Sequence, residues 1–78
     1  MAVSSRIKER RDALGLSIQK AARLLKVPQY RLKAIEARHR REILPEVLDA
    51  YLDLLRLKPW FGKWRKANPG MKQFLSSN

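Results

Sequence analysis

Apolar residues recur at helical spacing through most of the chain, and breaks between the repeats divide it into short helices. From Leu16 to Glu36 the pattern predicts two amphipathic helices separated at Lys26–Val27–Pro28. Pro28 suits the first turn of a helix and forces the residue before it out of the helical region. We expect the earlier helix, residues 18–25, to pack through Ala21, Ala22, Leu24 and Leu25, and the later one through Leu32 and Ile35.

Helices are also predicted before this unit and at its end. Ser4 or Ser5 can cap a first helix that runs to about Leu14, with Ile7 and Leu14 directed inward. Gly15 suits the stop of that helix, and Ser17 suits the cap of the next one. The third helix is expected to end near Ala37, before a polar loop of residues 38–41.

Two further helices follow the polar loop. The fourth begins near Leu44–Pro45 and is expected to bury Val47, Leu48, Tyr51, Leu52 and Leu55. Pro59 interrupts the pattern, and a short fifth helix carries Trp60, Phe61 and Trp64 before a turn at residues 68–70. The last residues are predicted to form one more helical turn with Phe74 and Leu75, or a frayed end. The predicted fold is an all-α, compact bundle of about five helices.

Length and composition limit the classes of function. A chain of 78 residues builds one small core and no large catalytic cleft. It has no cysteine, which excludes disulfides and thiolate metal sites. No run of 18 apolar residues occurs, so we expect no membrane span, and the N-terminus lacks a signal-peptide pattern. A cytoplasmic protein is therefore expected.

The charge is strongly positive and unevenly spread. The formal net charge is +11, beyond the magnitude of roughly 2–8 that suffices for solubility. Residues 1–41 hold 12 basic and 3 acidic residues, residues 42–57 hold 1 and 4, and residues 58–78 hold 5 and none. Such an excess favours a polyanionic partner, nucleic acid before membrane.

Catalytic chemistry is not indicated. The one histidine, His39, lies among arginines, which makes it a poor base and a poor metal ligand. Glu46, Asp49 and Asp53 share one helix face at i, i+3 and i+7, and a solvated face explains them better than a metal or acid–base site. The chain has no glycine-rich phosphate loop. We expect no enzyme activity, no cofactor or metal, and no small-molecule ligand.

The order of these features resembles the Xre/Cro-type helix-turn-helix family of lambdoid phage repressors. The residues that carry the resemblance are Ser4-Ser5-Arg6-Ile7-Lys8, Leu14-Gly15-Leu16-Ser17, the two-helix unit and Ile35-Glu36, over roughly residues 4–57. It implies a five-helix lambda-repressor-like bundle whose third helix enters the major groove. It further implies a sequence-specific transcriptional regulator, a repressor, that binds operator DNA as a homodimer. Residues 1–57 would form the domain core, and residues 58–78 an aromatic, basic extension of it or a dimerisation element.

The resemblance also implies roles for single residues. Arg11 and Glu36 stand at the positions of an ion pair that ties the first helix to the end of the third. The positions expected to contact bases are Gln29, Tyr30, Arg31, Lys33 and Ala34. Glutamine can bond adenine and arginine can bond guanine at two points each. The positions expected to contact phosphates are Ser17, Gln19, Arg23, Lys26, Arg38, Arg40 and Arg41.

The chain departs from the family pattern at three places. Ile18 replaces the glutamine that commonly grips a phosphate at the start of the second helix, and Gln19 follows it. Lys26 stands in the turn where the family has a glycine in the left-handed conformation, at a cost of about 1 kcal/mol. Lys20 replaces the usual acidic residue near the start of that helix.

Alternatives remain open at this point. The aromatic residues Trp60, Phe61 and Trp64 either close the core or form a patch for a two-fold dimer. The chain could also be a protein-interaction module, antitoxin-like in its partner binding, or an architectural protein that binds DNA through charge without reading its sequence.

Overall fold

The computed structural model describes residues 3–68, except for the side chain of Arg40. Within these residues five α-helices follow one another, with a 3₁₀ turn at Arg40–Glu42 between the third and the fourth. The helices are α1 (Val3–Ala13), α2 (Ile18–Leu25), α3 (Gln29–Ala37), α4 (Pro45–Leu54) and α5 (Lys58–Ala67). The predicted all-α fold is confirmed.

The core lies around α3, which packs against α1, α2 and α4, while α5 packs on α4. The largest fully buried apolar side chains come from α1, α3, α4 and the turn that follows α4: Ile7, Leu32, Ile35, Leu48, Tyr51, Leu52 and Leu55. The small residues Ala21 and Ala22 are buried on α2, which allows α2 and α3 to pack closely. Since α3 is held from three sides, only one edge of it faces solvent.

Most helix ends lie where the capping residues, glycine and prolines of the sequence predict them. The Ser17 side chain caps α2 by accepting a hydrogen bond from the Lys20 N–H at 3.0 Å. Gly15 adopts φ +65° after α1, and Pro28 directly precedes α3 as its N-cap. Pro59 lies in the first turn of α5, where a missing N–H is tolerated.

Three expectations for α1 and α2 are wrong. Ser4 lies inside α1 and caps nothing; it is buried, and its hydroxyl donates to the Ile35 carbonyl at 2.6 Å. Leu14 is 51% exposed, because α1 ends one residue before it. Leu24 is 55% exposed, since the inward face of α2 follows Ile18, Ala21, Ala22 and Leu25 at i, i+3, i+4 and i+7.

The turn between α2 and α3 has the left-handed residue that the family resemblance implies. Lys26 has φ 58° and ψ 43°. Its N–H and that of Val27 donate to carbonyls in the last turn of α2. We expect Lys26→Gly to raise the free energy of unfolding by up to about 1 kcal/mol, because glycine adopts this conformation without strain. Urea denaturation measures the change, and Gly15→Ala, at φ +65°, is the reverse control that should destabilise.

The predictions for Phe74 and Leu75 and for most of the turn at 68–70 lie outside the described residues. Within residues 3–68, no helix is both long enough and apolar enough to cross a membrane.

Candidate nucleic-acid interface

The solvent-facing edge of α3 carries Gln29, Tyr30 and Lys33, which we call the reading edge. All three are exposed, and Tyr30 keeps 53% of its surface. Their spacing at i, i+1 and i+4 places them on one side of the helix. Leu32 and Ile35 on the opposite side are completely buried and anchor α3 in the core. The reading edge therefore presents polar and aromatic groups on a firmly held helix.

One flank of α3 is closed to solvent, which corrects one expectation. Ala34 is only 2% exposed, and its carbonyl accepts the N–H of His39 at 2.9 Å. A base cannot reach Ala34 in this conformation. Arg31 is half-buried and donates through Nη1 to the Glu42 carbonyl at 3.0 Å. The Arg31 guanidinium also lies 4.9 Å from the centre of the Tyr30 ring. Arg31 therefore packs beside Tyr30 at the border of the reading edge.

The residues before and after the reading edge in the sequence include exposed polar and basic side chains, which we call the basic rim. The members that the structure describes are Ser17, Gln19, Arg23, Lys26, Arg38 and Arg41; the Arg40 side chain lies outside the described part. Arg38 ends α3 at φ 61°. The first turn of α2 contributes no acidic residue of its own.

Sequence reasoning missed Lys8 as part of this surface. Lys8 on α1 lines an open cleft of about 340 Å³ together with Ile18, Lys33, Glu36 and Ala37. Ile18 packs against the core, which gives a structural reason for its departure from the family glutamine. No sequence pattern marks Lys8, because the cleft arises only when α1, α2 and α3 pack together.

A polar network below the surface joins α1, α3 and α4. Arg11 donates to Glu36 through Nε at 2.7 Å and through Nη2 at 3.1 Å. Its Nη1 donates to the Leu16 carbonyl at 2.8 Å. Only 12% of the Arg11 side chain and 9% of the Glu36 side chain are exposed. These distances confirm the implied ion pair, and the hydrogen bond to Glu36 raises the pKa of Arg11 above its ordinary value, so the guanidinium keeps its charge.

Tyr51 is the third member of the network, and sequence reasoning assigned it only to the core. Its hydroxyl donates to Glu36 Oε2 at 2.5 Å, while its ring has no exposed surface. A buried tyrosine normally finds a partner for its hydroxyl, which is the signal that could have found this contact. Glu36 thus accepts hydrogen bonds from two other helices and fixes the end of α3.

The Tyr51 hydroxyl should make stability fall at alkaline pH. Burial, and then the hydrogen bond to Glu36, raise the pKa of Tyr51 well above its ordinary value of 10. Above pH 10 the unfolded chain loses this proton and the folded chain keeps it, so the free energy of unfolding decreases as pH rises. Tyr51 accounts for a decrease of at most about 1.4 kcal/mol in the free energy of unfolding by pH 11.

Urea denaturation between pH 8 and 11 measures this decrease. Tyr51→Phe should show a shallower decline than the wild type, and Tyr30→Phe on the reading edge is the matched control. Equal slopes for the wild type and Tyr51→Phe would refute the assignment.

An exposed, polar helix edge carried by a two-helix unit with a tight turn, within a basic chain, is the architecture of a DNA-binding helix-turn-helix domain. A family model described as helix-turn-helix matches residues 7–59. The chain belongs to this Xre/Cro-type helix-turn-helix family. Comparisons with curated proteins and with solved structures give no match.

Proposed function

We propose that this protein is a sequence-specific transcriptional regulator, a repressor, that reads operator DNA in the major groove through the reading edge of α3 and binds as a homodimer. The observation that carries the proposal is the exposure of Gln29, Tyr30 and Lys33 on a helix whose opposite side is completely buried. A rigid helix presents such side chains to bases without a large loss of conformational entropy.

The chemistry of the reading edge suits direct readout. The Gln29 amide can pair with the N6 and N7 atoms of adenine, and Lys33 can donate to O6 and N7 of guanine; each contact is worth about 1–3 kcal/mol of discrimination. Tyr30 can pack on a thymine methyl group or reach a phosphate. Arg31 contacts the Tyr30 ring and the 3₁₀ turn, so its role is to hold Tyr30 in place.

The basic rim supplies affinity without sequence preference. Arg23, Lys26, Arg38 and Arg41 are exposed, and Lys8 adds a further cation beside Lys33. Cations in this arrangement can neutralise backbone phosphates on both sides of the groove and set the register of α3. The Ser17 hydroxyl oxygen accepts the Lys20 N–H, so the hydroxyl hydrogen and the backbone N–H of Ser17 remain the groups that can donate to a phosphate.

Selection of bound sequences from a random pool of DNA duplexes at physiological salt tests the proposal. A homodimer should enrich a near-palindrome whose half-sites lie about 34 Å apart. An architectural binder would bind strongly at low salt and enrich no sequence. A protein-interaction module would bind all duplexes weakly. Either outcome would contradict operator reading.

The basic rim gives a separate prediction about salt. We expect Arg38→Gly to weaken binding to all sequences and to make the slope of log affinity against log salt shallower by about one unit, because one phosphate contact is lost. Arg56→Gly is a closely matched control, since Arg56 is also exposed and left-handed, at φ 58°, but follows α4. Equal slopes for the wild type and Arg38→Gly would remove Arg38 from the interface.

A further inference from the structure

One side of α5 carries only positive charge. Its exposed charged residues are Lys58, Lys63, Arg65 and Lys66. At about 3.6 residues per turn these four positions fall on one half of the helix. The aromatic residues Trp60, Phe61 and Trp64 fall on the other half, which packs toward the core. We call the four exposed positions the α5 basic face.

Contacts within the chain leave most of this charge unused. Lys58 Nζ lies 3.2 Å from Asp49, but both side chains are about half exposed or more, and such surface pairs contribute little. Among the side chains that the structure describes, Lys63 and Lys66 have no salt-bridge partner within 4.0 Å. The α5 basic face is therefore available to an anionic partner.

Gly62 is an independent indication that a partner lies close to this helix. It is exposed in the middle of α5, among the basic positions, where glycine destabilises a helix relative to alanine. Its φ is not positive, and a Cβ atom at this position would meet nothing within 4 Å. Packing within the chain thus gives no reason for a glycine, whereas the missing side chain lets a phosphate backbone approach the helix closely.

The composition of the face favours a nucleic-acid backbone over a protein or a membrane. Three of its four charges are lysines, which bind phosphates as point charges and are depleted at protein–protein interfaces. Such interfaces also need aromatic or apolar anchors, but Phe61 is 8% exposed, and Trp60 and Trp64 are half-buried against the core. The same orientation removes the apolar side that a helix inserts into a membrane surface.

The α5 basic face and the reading edge lie on helices that α4 separates. Helix α3 packs against α1, α2 and α4, whereas α5 packs on α4. The exposed charges of α4 are acidic, at Glu46, Asp49 and Asp53, and Asp49 borders α5 through its contact with Lys58. These carboxylates would repel a duplex that ran from α3 across α4 to α5. Two positive surfaces with an acidic helix between them suit two separate duplexes.

We propose that the α5 basic face binds the phosphate backbone of a second DNA duplex, so that this protein holds an operator through α3 and another DNA segment through α5. The inference rests on the proposed function for the first duplex only. Lys63, Arg65 and Lys66 would each neutralise a phosphate, and Gly62 would mark the closest approach. Phosphate contacts carry no sequence information in themselves, so the second segment can have any sequence.

Capture of a second duplex tests the proposal. An operator duplex from the selection described above is immobilised and saturated with protein, and a labelled duplex of unrelated sequence is added at about 50 mM salt. The wild type should retain the labelled duplex. The slope of log affinity against log salt for this retention should be about −3, because about three phosphates are neutralised. A labelled operator should be retained no better, since the reading edges are already occupied.

Glutamine and arginine variants assign the retention to α5. Lys63→Gln with Lys66→Gln should reduce retention at least tenfold, while affinity for a single half-site stays within about threefold of the wild type. Lys63→Arg with Lys66→Arg keeps both charges and should retain the second duplex like the wild type. Equal retention by the glutamine variant and the wild type would overturn the proposal.

Gly62→Ala separates close approach of DNA from a structural role. It should raise the Tm, because alanine favours the helix, and yet weaken retention of the second duplex several-fold. A higher Tm with unchanged retention would contradict the close approach at Gly62.

The other occupants of the α5 basic face give different results. If it binds an acidic protein, the wild type should retain no labelled duplex, which would overturn the proposal. If it contacts the flanks of the same duplex, the glutamine variant should lose affinity for a longer operator and the wild type should capture nothing, which would overturn it too. A marked preference for labelled operator would assign capture to a second reading edge and overturn it as well.

This inference and the proposed function fail separately. A wild type that enriches an operator from the random pool but captures no second duplex would overturn the inference and leave base reading intact. A protein that enriches no sequence, yet joins two unrelated duplexes through α5, would do the reverse.

Discussion

Replacing Glu36 by alanine should lower the free energy of unfolding by about 3 kcal/mol, the largest effect expected from a single polar side chain in this protein. The change leaves Arg11 without the carboxylate that accepts its Nε–H and Nη2–H. It also leaves the buried Tyr51 hydroxyl without its acceptor, and an unsatisfied buried donor is costly in itself. The lost hydrogen bonds join α1, α3 and α4, so we expect the variant still to unfold in one cooperative transition.

Urea denaturation at neutral pH measures this effect, with Asp12→Ala as the control. Asp12 lies 3.5 Å from Arg11, but its side chain is 60% exposed, so its removal should cost less than about 0.5 kcal/mol. Replacing both Arg11 and Glu36 by apolar residues should cost less than Glu36→Ala, because no charge is then left unpaired. A loss for Glu36→Ala no greater than that for Asp12→Ala would show that the network does not hold the helices together.

The second large effect is expected from charge reversal at Lys33. Lys33 is exposed on the reading edge and also lines the cleft beside Lys8. Lys33→Glu should reduce affinity for the selected operator by roughly 100-fold, because a favourable contact is lost and a carboxylate is brought close to DNA. Its stability should change little, since exposed substitutions away from special features are usually within about 0.5 kcal/mol.

Lys63→Glu is the matched control for Lys33→Glu. It changes the net charge equally, but it lies on α5, which packs on α4 and not on the reading edge. Fluorescence anisotropy with a single half-site, at constant salt, should give an affinity within about threefold of the wild type, because general field effects are screened over about 10 Å. Equal losses for the two variants would mean that total charge, and not the position of α3, determines binding.

Features that depend on neighbouring residues could be predicted from the sequence. The bounds of α2 and the Ser17 cap follow from capping, from the effect of Pro28 and from helical spacing, whereas the left-handed conformation of Lys26 is implied by the family resemblance. The core positions of α4 follow from the same spacing. The predicted burial of Leu14 and Leu24 is wrong, because apolar character alone does not determine where a helix ends or which of its faces packs against the core.

Features that depend on how helices pack could not be predicted. The family pattern places Ala34 beside the reading edge, yet packing leaves it only 2% exposed. The cleft at Lys8 requires three helices to meet, and the hydroxyl of Tyr51 finds Glu36 only across two helices. The Arg11–Glu36 pair came from the family resemblance, because 25 residues separate its members and no periodicity links them.

The most direct test of base reading by α3 compares the sequences enriched from one random duplex pool by the wild type and by Gln29→Ala. If the exposed amide of Gln29 bonds a base edge, the variant should lose preference at one or two base pairs in each half-site and keep it elsewhere. An enriched motif identical for the two proteins would mean that Gln29 reads no base, and the proposed docking of α3 would be wrong.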